Sequence, residues 1–439
     1  MTKQEILRPV DESGNVVKEA YYKPEYLALE KERLWPRVWQ MACRVEELAE
    51  VGDFVTYEIA DESVIVVRAD DGLRAFHNVC QHRGRRLAKG CGTAQRLRCP
   101  FHGWQWDLEG RNVHVTTRED WGGLLDGQDL GLKPVKLATW GGFVFINFDL
   151  NSESLESWLG EAARILDPFE LDKMRLRWRK WLIMPSNWKI ALEAFNEGYH
   201  VSITHYQLAQ YGGVSKFASA TNGNHAMFGM QEANTGIMGA NTSKQEVDAR
   251  KKLAEFYNYM KTALDSNMTD TIMHAANRLV AEVPEGTPAG EVVQQLMIKA
   301  VTEDAARGVV WPSISVDEYT AAGIDWNIFP NMVLLPMATN CLGYRARPNG
   351  DDPDTCIFEV YQLERFPEGQ EPKKVENIRN DDIYDAAFWG EILLQDFQQM
   401  QGTHLGNKSS GYTGPRLNPA QETPLSNFHR VYHEFLAKP

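Results

Sequence analysis

The chain has 439 residues, more than one typical hydrophobic core can organise, so two domains are the expected arrangement. Hydrophobic residues make up 43% and charged residues 24%, the balance of a globular protein. A net charge of −14 argues against nucleic acid and against anionic membrane surfaces as partners. The first residues, MTKQEILRPV, hold no apolar core of a signal peptide, and the longest apolar run, around Phe143–Phe148, falls far short of a membrane span. Cys43, Cys80, Cys91, Cys99, Cys341 and Cys356 are too sparse for a disulfide framework, which points to a reduced, cytoplasmic location.

In chain order, apolar residues in 24–40 (Tyr26, Leu27, Leu34, Trp35, Val38, Trp39) predict a helix interrupted at Pro36. From about residue 52 the period changes to that of strands. DFVTYEI, SVIVVRA and LRAFHNV are short β-branched and aromatic runs separated by acidic and glycine turns. RLRCPFHGWQWDL, NVHV and WGGFVFINFDL continue the pattern, so 41–155 reads as one antiparallel β domain after a helical segment at 1–40. Residues 156–439 alternate helices and strands. SLESWLGEAARIL and NWKIALEAFNEGYH are helical, MRLRWRKWLIMP is a strand, and two further helices lie in 246–306. Strands follow in 326–366, with a hairpin turn at Pro348-Asn349-Gly350-Asp351, then helices near 381–402 and 426–437. The fold class is α+β.

Two spacings carry chemistry. Cys80-Gln-His82, sixteen residues, then Cys99-Pro-Phe-His102 bring two thiolates and two imidazoles together. Zinc and a [2Fe–2S] cluster with two histidine ligands both satisfy that donor set. Gly84, Pro100 and Gly103 favour the cluster, whose sulfurs need tight loops with backbone N–H groups aimed at them. Cys91, between the pairs, is expected to be a packed or inert thiol.

The second spacing is Glu197, His200 and His205. Glu197 and His200 share a face of a helix. His205 lies about 140° around from His200, so the imidazoles converge only if the helix breaks between them. Two unrelated histidines at a helix end fit the same letters. In the predicted 381–402 helix, Asp396 falls inside the apolar stripe of Phe388, Trp389, Ile392, Leu393, Phe397 and Met400. A carboxylate facing a core requires a partner or a cation. A buried salt bridge would meet that need, and so would a two-histidine, one-carboxylate site for non-haem Fe(II). Asp385 and Glu391 lie off the stripe and are expected to be solvated.

CQHRG…CPFHGW resembles a Rieske motif. With WGGFVFINF, NWKIALEAFNEGYHVSITH and QDFQQMQG, nearly the whole chain resembles the large (α) subunit of Rieske non-haem iron ring-hydroxylating oxygenases. The resemblance implies an N-terminal Rieske domain and a C-terminal helix-grip (Bet v1-like) catalytic domain. It implies that Cys80 and Cys99 ligate one cluster iron and His82 and His102 the other, and that His200, His205 and Asp396 hold a mononuclear Fe(II). Its bridging carboxylate, usually Asp, falls on Glu197, one methylene longer, and would link a cluster histidine of one subunit to His200 of the next.

The implied function is that of a terminal oxygenase using O2, most of all dihydroxylating an aromatic or polycyclic compound; monooxygenation and O- or N-demethylation use the same metal set. No G-x-G-x-x-G follows a predicted strand, so NAD(P)H would act through a separate reductase, with or without a ferredoxin. The family implies a homotrimer, with or without a small β subunit. Ala194 and Val201 flank the ligands and are candidate pocket residues; Met227, Met230 and Met238 are weaker ones that core packing explains better. The alternative of another class is a non-catalytic Rieske electron carrier, for which some 290 residues beyond 150 would have no task.

Overall fold

The computed structural model describes residues 16–211, 217–230 and 248–438. The chain divides into two compact units, Ala28–Trp158 and Met1–Leu27 with Leu159–Pro439. Among the described residues, no helix is long and apolar enough to cross a membrane.

In the smaller unit every described strand pairing is antiparallel. Strands β1 (Gln40–Arg44), β9 (Lys136–Trp140) and β10 (Phe143–Asn147) form one sheet with β10 central. Strands β2 (Asp53–Ile59), β3 (Glu62–Ala69), β4 (Gly72–His77) and β5 (Cys91–Thr93) form a second in the order β4-β3-β2-β5. The central β3 is buried from Ser63 to Val67, which explains its nearly continuous β-branched run. A third, small sheet contains β6 (Leu97–Arg98), β7 (Gln105–Trp106) and β8 (Asn112–His114). Trp106, Leu97, Leu132, Ile65, Val67 and Phe76 pack into one core that also takes in Cys80 and Cys99. Cys91 is exposed on β5 rather than packed.

The larger unit is built on an eight-stranded sheet ordered β12-β13-β14-β15-β16-β17-β11-β18. These are β11 (Arg175–Met184), β12 (Phe217–Asn222), β13 (His225–Met230), β14 (Asp325–Ile328), β15 (Met332–Pro336), β16 (Asn340–Asn349), β17 (Asp352–Glu364) and β18 (Asn377–Arg379). Only β18 runs parallel to its neighbour. One face grips the helix Glu391–Asn407: Phe358 of β17 meets Phe397 edge to face at 5.8 Å. On the other face Glu359 is buried among arginines. Arg345 Nε donates to it at 2.6 Å and Arg179 at 2.8 Å. Burial alone would raise this carboxyl, but the charges of Arg345, Arg179 and Arg347 outweigh it and hold it well below the usual range.

Three expected helices differ in detail. The segment at 24–40 is a helix over Pro24–Leu29 and a wider π turn over Glu30–Leu34, ending before Pro36. The helix at 381–402 is two pieces, Ala386–Trp389 and Glu391–Asn407, parted at Gly390, whose φ is +81°. A Cβ there would collide with the Ala263 carbonyl, so the break also admits a close backbone approach. Asp385 is not merely solvated: its carboxylate caps the first piece by accepting from Phe388 N at 3.1 Å. NWKIALEAFNEGYH is helical only over Trp188–Glu193, started by Asn187, whose side chain accepts from Lys189 N.

Candidate active site

The two Cys/His pairs sit on turns of one design. The pair at 80–82 follows β4, and the pair at 99–102 is the turn joining β6 to β7. Gly84 N donates to Cys80 O at 3.0 Å, and Gly103 N to Cys99 O at 3.1 Å. Cys80 N donates to Arg85 O and Cys99 N to Trp104 O, each at 2.9 Å. Both glycines have positive φ, +73° and +77°, the conformation that closes such a turn.

The turns expose peptide N–H groups to the sulfurs. Burial raises the Cys80 thiol above its ordinary value, while the N–H groups of His82 and Arg83 work against the rise. At Cys99 burial pushes the same way, but the N–H groups of His102 and Phe101 prevail and the thiol lies below its ordinary value. Burial and the nearby His102 lower the His82 imidazole, favouring the neutral form a metal needs. His82 stacks on Trp104 at 5.1 Å, and its ring lies 4.7 Å from that of His102. His82 Nδ1 is buried without a hydrogen-bond partner among the described residues. An iron on this nitrogen would satisfy it, so the donors present suit a [2Fe–2S] cluster.

The second group assembles over long sequence distance. Helix Trp188–Glu193 ends, the chain turns, and a short helix runs from Val201 to Thr204. His200 precedes that short helix, and His205 leaves it with φ −107° and ψ 47°. The expected break between the histidines is therefore present. Glu197, however, lies outside any helix; its carboxylate instead accepts from His200 N at 3.1 Å and from His200 Nδ1 at 2.6 Å. Gln395 Oε1 accepts from His205 Nδ1 at 2.8 Å. With both Nδ1 atoms engaged, both Nε2 atoms turn to Asp396 Oδ1, at 3.7 Å from His200 and 3.0 Å from His205. One donor atom from each of the three residues lies within 4.8 Å of the others. Asp396 is buried beside Leu393 and Phe397. Burial would lower both imidazoles, but Glu197 and Asp396 raise His200, and Asp396 and Gln395 raise His205, so both lie above the ordinary value. Two neutral imidazoles and a carboxylate are the donor set of a facial non-haem iron site, and this geometry suits one.

Ala194 closes the helix before Glu197, and Val201 opens the one after His200. Met227 pairs with Trp326 and sits with its methyl group against Gly323, away from the helix-gripping face, so it packs rather than caps a pocket. The Met230 side chain and Met238 lie outside the described residues. Sequence reasoning gave no role to Gln395, although it opens the QDFQQMQG segment. It also missed Tyr344, stacked on Phe195 at 3.8 Å, and the buried Asp325. Strand alternation in Asp325-Trp326-Asn327 was the only available signal.

An antiparallel β domain with a Cys2His2 turn pair, joined in one chain to a helix-gripping sheet that presents two histidines and an aspartate, defines a Rieske oxygenase large subunit. Family models agree: a Rieske [2Fe–2S] domain matches residues 38–129, and a ring hydroxylating alpha subunit (catalytic domain) matches 155–438. The chain belongs to the ring-hydroxylating alpha-subunit family, whose members pair a Rieske [2Fe–2S] cluster with a mononuclear iron and use O2 with NAD(P)H electrons delivered by a reductase.

Among curated relatives, the carnitine monooxygenase oxygenase subunit of Escherichia coli K12 is 36% identical over 199 residues, covering 44% of this chain and 53% of that protein. The anthranilate 1,2-dioxygenase large subunit of Acinetobacter baylyi is 34% identical over 209 residues, 45% and 44% of the two chains. The chain thus spans about half the length of the curated relatives it matches. A solved quaternary ammonium Rieske monooxygenase in complex with L-carnitine shares the fold across 96% of this chain and 95% of that one, with a TM-score of 0.64 at 19% identity.

Proposed function

We propose that this chain is the terminal oxygenase of a multicomponent Rieske system and hydroxylates a quaternary ammonium compound. The observation that carries the oxygenase reading is the convergence of His200, His205 and Asp396 on one point, in a chain that also holds the Cys80, His82, Cys99, His102 set. The relative named for carnitine supports the substrate class. The balanced reaction is R–H plus O2, two electrons and two protons giving R–OH and water.

When bound, the cluster supplies electrons singly and the mononuclear iron activates O2. Cys80 and Cys99 would hold one cluster iron, and His82 and His102 the other. His200, His205 and Asp396 would hold the mononuclear iron. Gln395 fixes the His205 tautomer, and Glu197 fixes that of His200. Glu197 is also the proposed junction by which electrons reach His200 from the cluster of a neighbouring subunit in a homotrimer. Residues 41–155 would form the relay domain after the segment 1–40, and 156–439 the catalytic domain. Ala194 and Val201 are proposed to line the pocket. A separate reductase, with or without a ferredoxin, would deliver NAD(P)H electrons in the cytoplasm.

A second reading, dihydroxylation of an aromatic substrate, has the identity to anthranilate 1,2-dioxygenase in its favour. A substrate panel with a surrogate reductase, read by mass, separates the two. Gain of one oxygen on a quaternary ammonium compound supports the first reading, and gain of two on an aromatic supports the second. About three irons per chain are expected, whereas about two would remove the catalytic claim for both.

A further inference from the structure

The eight-stranded sheet buries two carboxylates with opposite surroundings. Glu359, on the outer face, is met by three arginines. Asp325, at the start of β14, is 2% exposed, and its Oδ1 has no hydrogen-bond partner among the described residues. Burial raises this carboxyl far above its ordinary value, and among the described residues no charge offsets the effect. An unpaired buried carboxylate is costly, and a protein retains one where something outside the chain completes it.

Strand register says which way the group faces. Asp325 stands opposite Phe228 of β13 and two residues before Asn327. Asn327 pairs with Val333 of β15, which pairs with Tyr344 of β16. Cross-strand partners share a face, so Asp325, Asn327, Phe228 and Tyr344 all lie on the helix-gripping side. Tyr344 stacks on Phe195, two residues before the Glu197–Gly198 turn to His200. Burial raises the Tyr344 hydroxyl, and the charges of Asp396 and Asp325 both add to the rise, so the phenol senses both carboxylates. The Nδ2 of Asn327 is likewise buried without a partner among the described residues. The intervening Trp326 faces the other way and donates to Ala322 O.

A group that completes Asp325 would therefore lie on the sheet face that also carries Tyr344 and grips the helix of Asp396, and its chemistry is that of a cation. A quaternary ammonium group has no N–H, so it cannot use a hydrogen-bonding cradle; it needs aromatic faces and a carboxyl whose charged form its own charge favours, against the burial that raises Asp325. We propose that Asp325 is the counter-ion for the cationic head of the substrate, with Phe228 and Tyr344 supplying the aromatic faces. This deepens the quaternary ammonium reading above and rests on it. It makes Asp325 a specificity residue: it selects charge, while Asp396 holds metal.

Calorimetric titration of the loaded protein with carnitine, glycine betaine and choline, each beside its neutral tert-butyl isostere, tests the inference. The wild type is expected to prefer the cation at least about thirtyfold, ~2 kcal/mol at 1.4 kcal/mol per decade. Asp325→Asn should lose that preference while keeping its iron content, its cluster absorbance and an equal or higher melting temperature. Asp325→Ser reads the same ratio should the amide fail to fold. A variant that prefers the cation within threefold of wild type overturns the role of Asp325 and leaves the quaternary ammonium reading standing. A wild type that binds none of the cations, yet oxidises an aromatic acid, overturns both.

Discussion

The two candidate iron sites are built by opposite strategies. The Cys80–His82 and Cys99–His102 turns are local: each is closed by its own glycine and its own backbone hydrogen bonds, within about five residues. The His200–His205–Asp396 site is distant: His205 is held by a residue 190 positions away. A local site tolerates change elsewhere because its geometry is written into its turns. A distant site depends on a helix, a break and a sheet all arriving together.

The largest effects should come from removing one ligand at each site, and they should be separable. Asp396→Ala is expected to abolish turnover, lower iron from about three to about two per chain and leave the cluster spectrum intact. Cys99→Ser should do the reverse, losing the cluster while the mononuclear site still takes up one iron. Loss of both centres in either variant, by metal analysis and visible absorption, would break the contrast between the sites. Glu197→Ala comes next. Both metal centres should remain, while turnover falls by on the order of a hundredfold or more because the junction and the His200 tautomer are lost together. Near-normal turnover would place the electron path elsewhere.

Gln395→Leu should weaken mononuclear iron binding by about 10–100-fold, since it removes the acceptor that orients His205. Titration of the iron-depleted protein with Fe(II) reads this directly. An unchanged affinity would mean the distant site is held by its ligands alone.

The smallest effect concerns stability. Burial raises the Glu364 carboxyl to about 7, although Arg177 opposes the rise. Its folded value exceeds its unfolded one, so its contribution is fully present below about 4.5 and is lost as pH rises through about 7. Glu364→Gln should therefore be more stable than wild type at pH 8, by ~2 kcal/mol, with the gap closing towards pH 4.5. Urea melts at the two pH values check the sign. Only the transition of the larger unit should move, because Glu364 lies on β17.

Legibility followed the same division. Cys80, His82, Cys99 and His102 could be read as one donor set because their spacing and their glycines state the turn geometry outright. The break between His200 and His205 was also legible, since an α-helix cannot bring residues five apart onto one point. The apolar stripe around Asp396 marked it as a buried carboxylate awaiting a partner. Other features were not legible. The letters of Glu197 suit a helix, but the chain leaves the helix after Glu193 and the carboxylate caps the next turn instead. The break at Gly390 was missed because a glycine within an apolar stripe is compatible with a continuous helix.

The sequence by itself determined the donor types, the cluster turns and the alternation of strands, because these depend on neighbours within a few residues. It also determined that Asp396 faces a core, since helical period alone places it there. Tertiary structure decided that the core contains two imidazoles, that Gln395 holds one of them and Glu197 the other, and that Asp325 shares a face with Tyr344. Those facts depend on which strand lies beside which and on where a helix ends. Pairings across a hundred or more residues are set by packing of the whole sheet, and no local pattern encodes them.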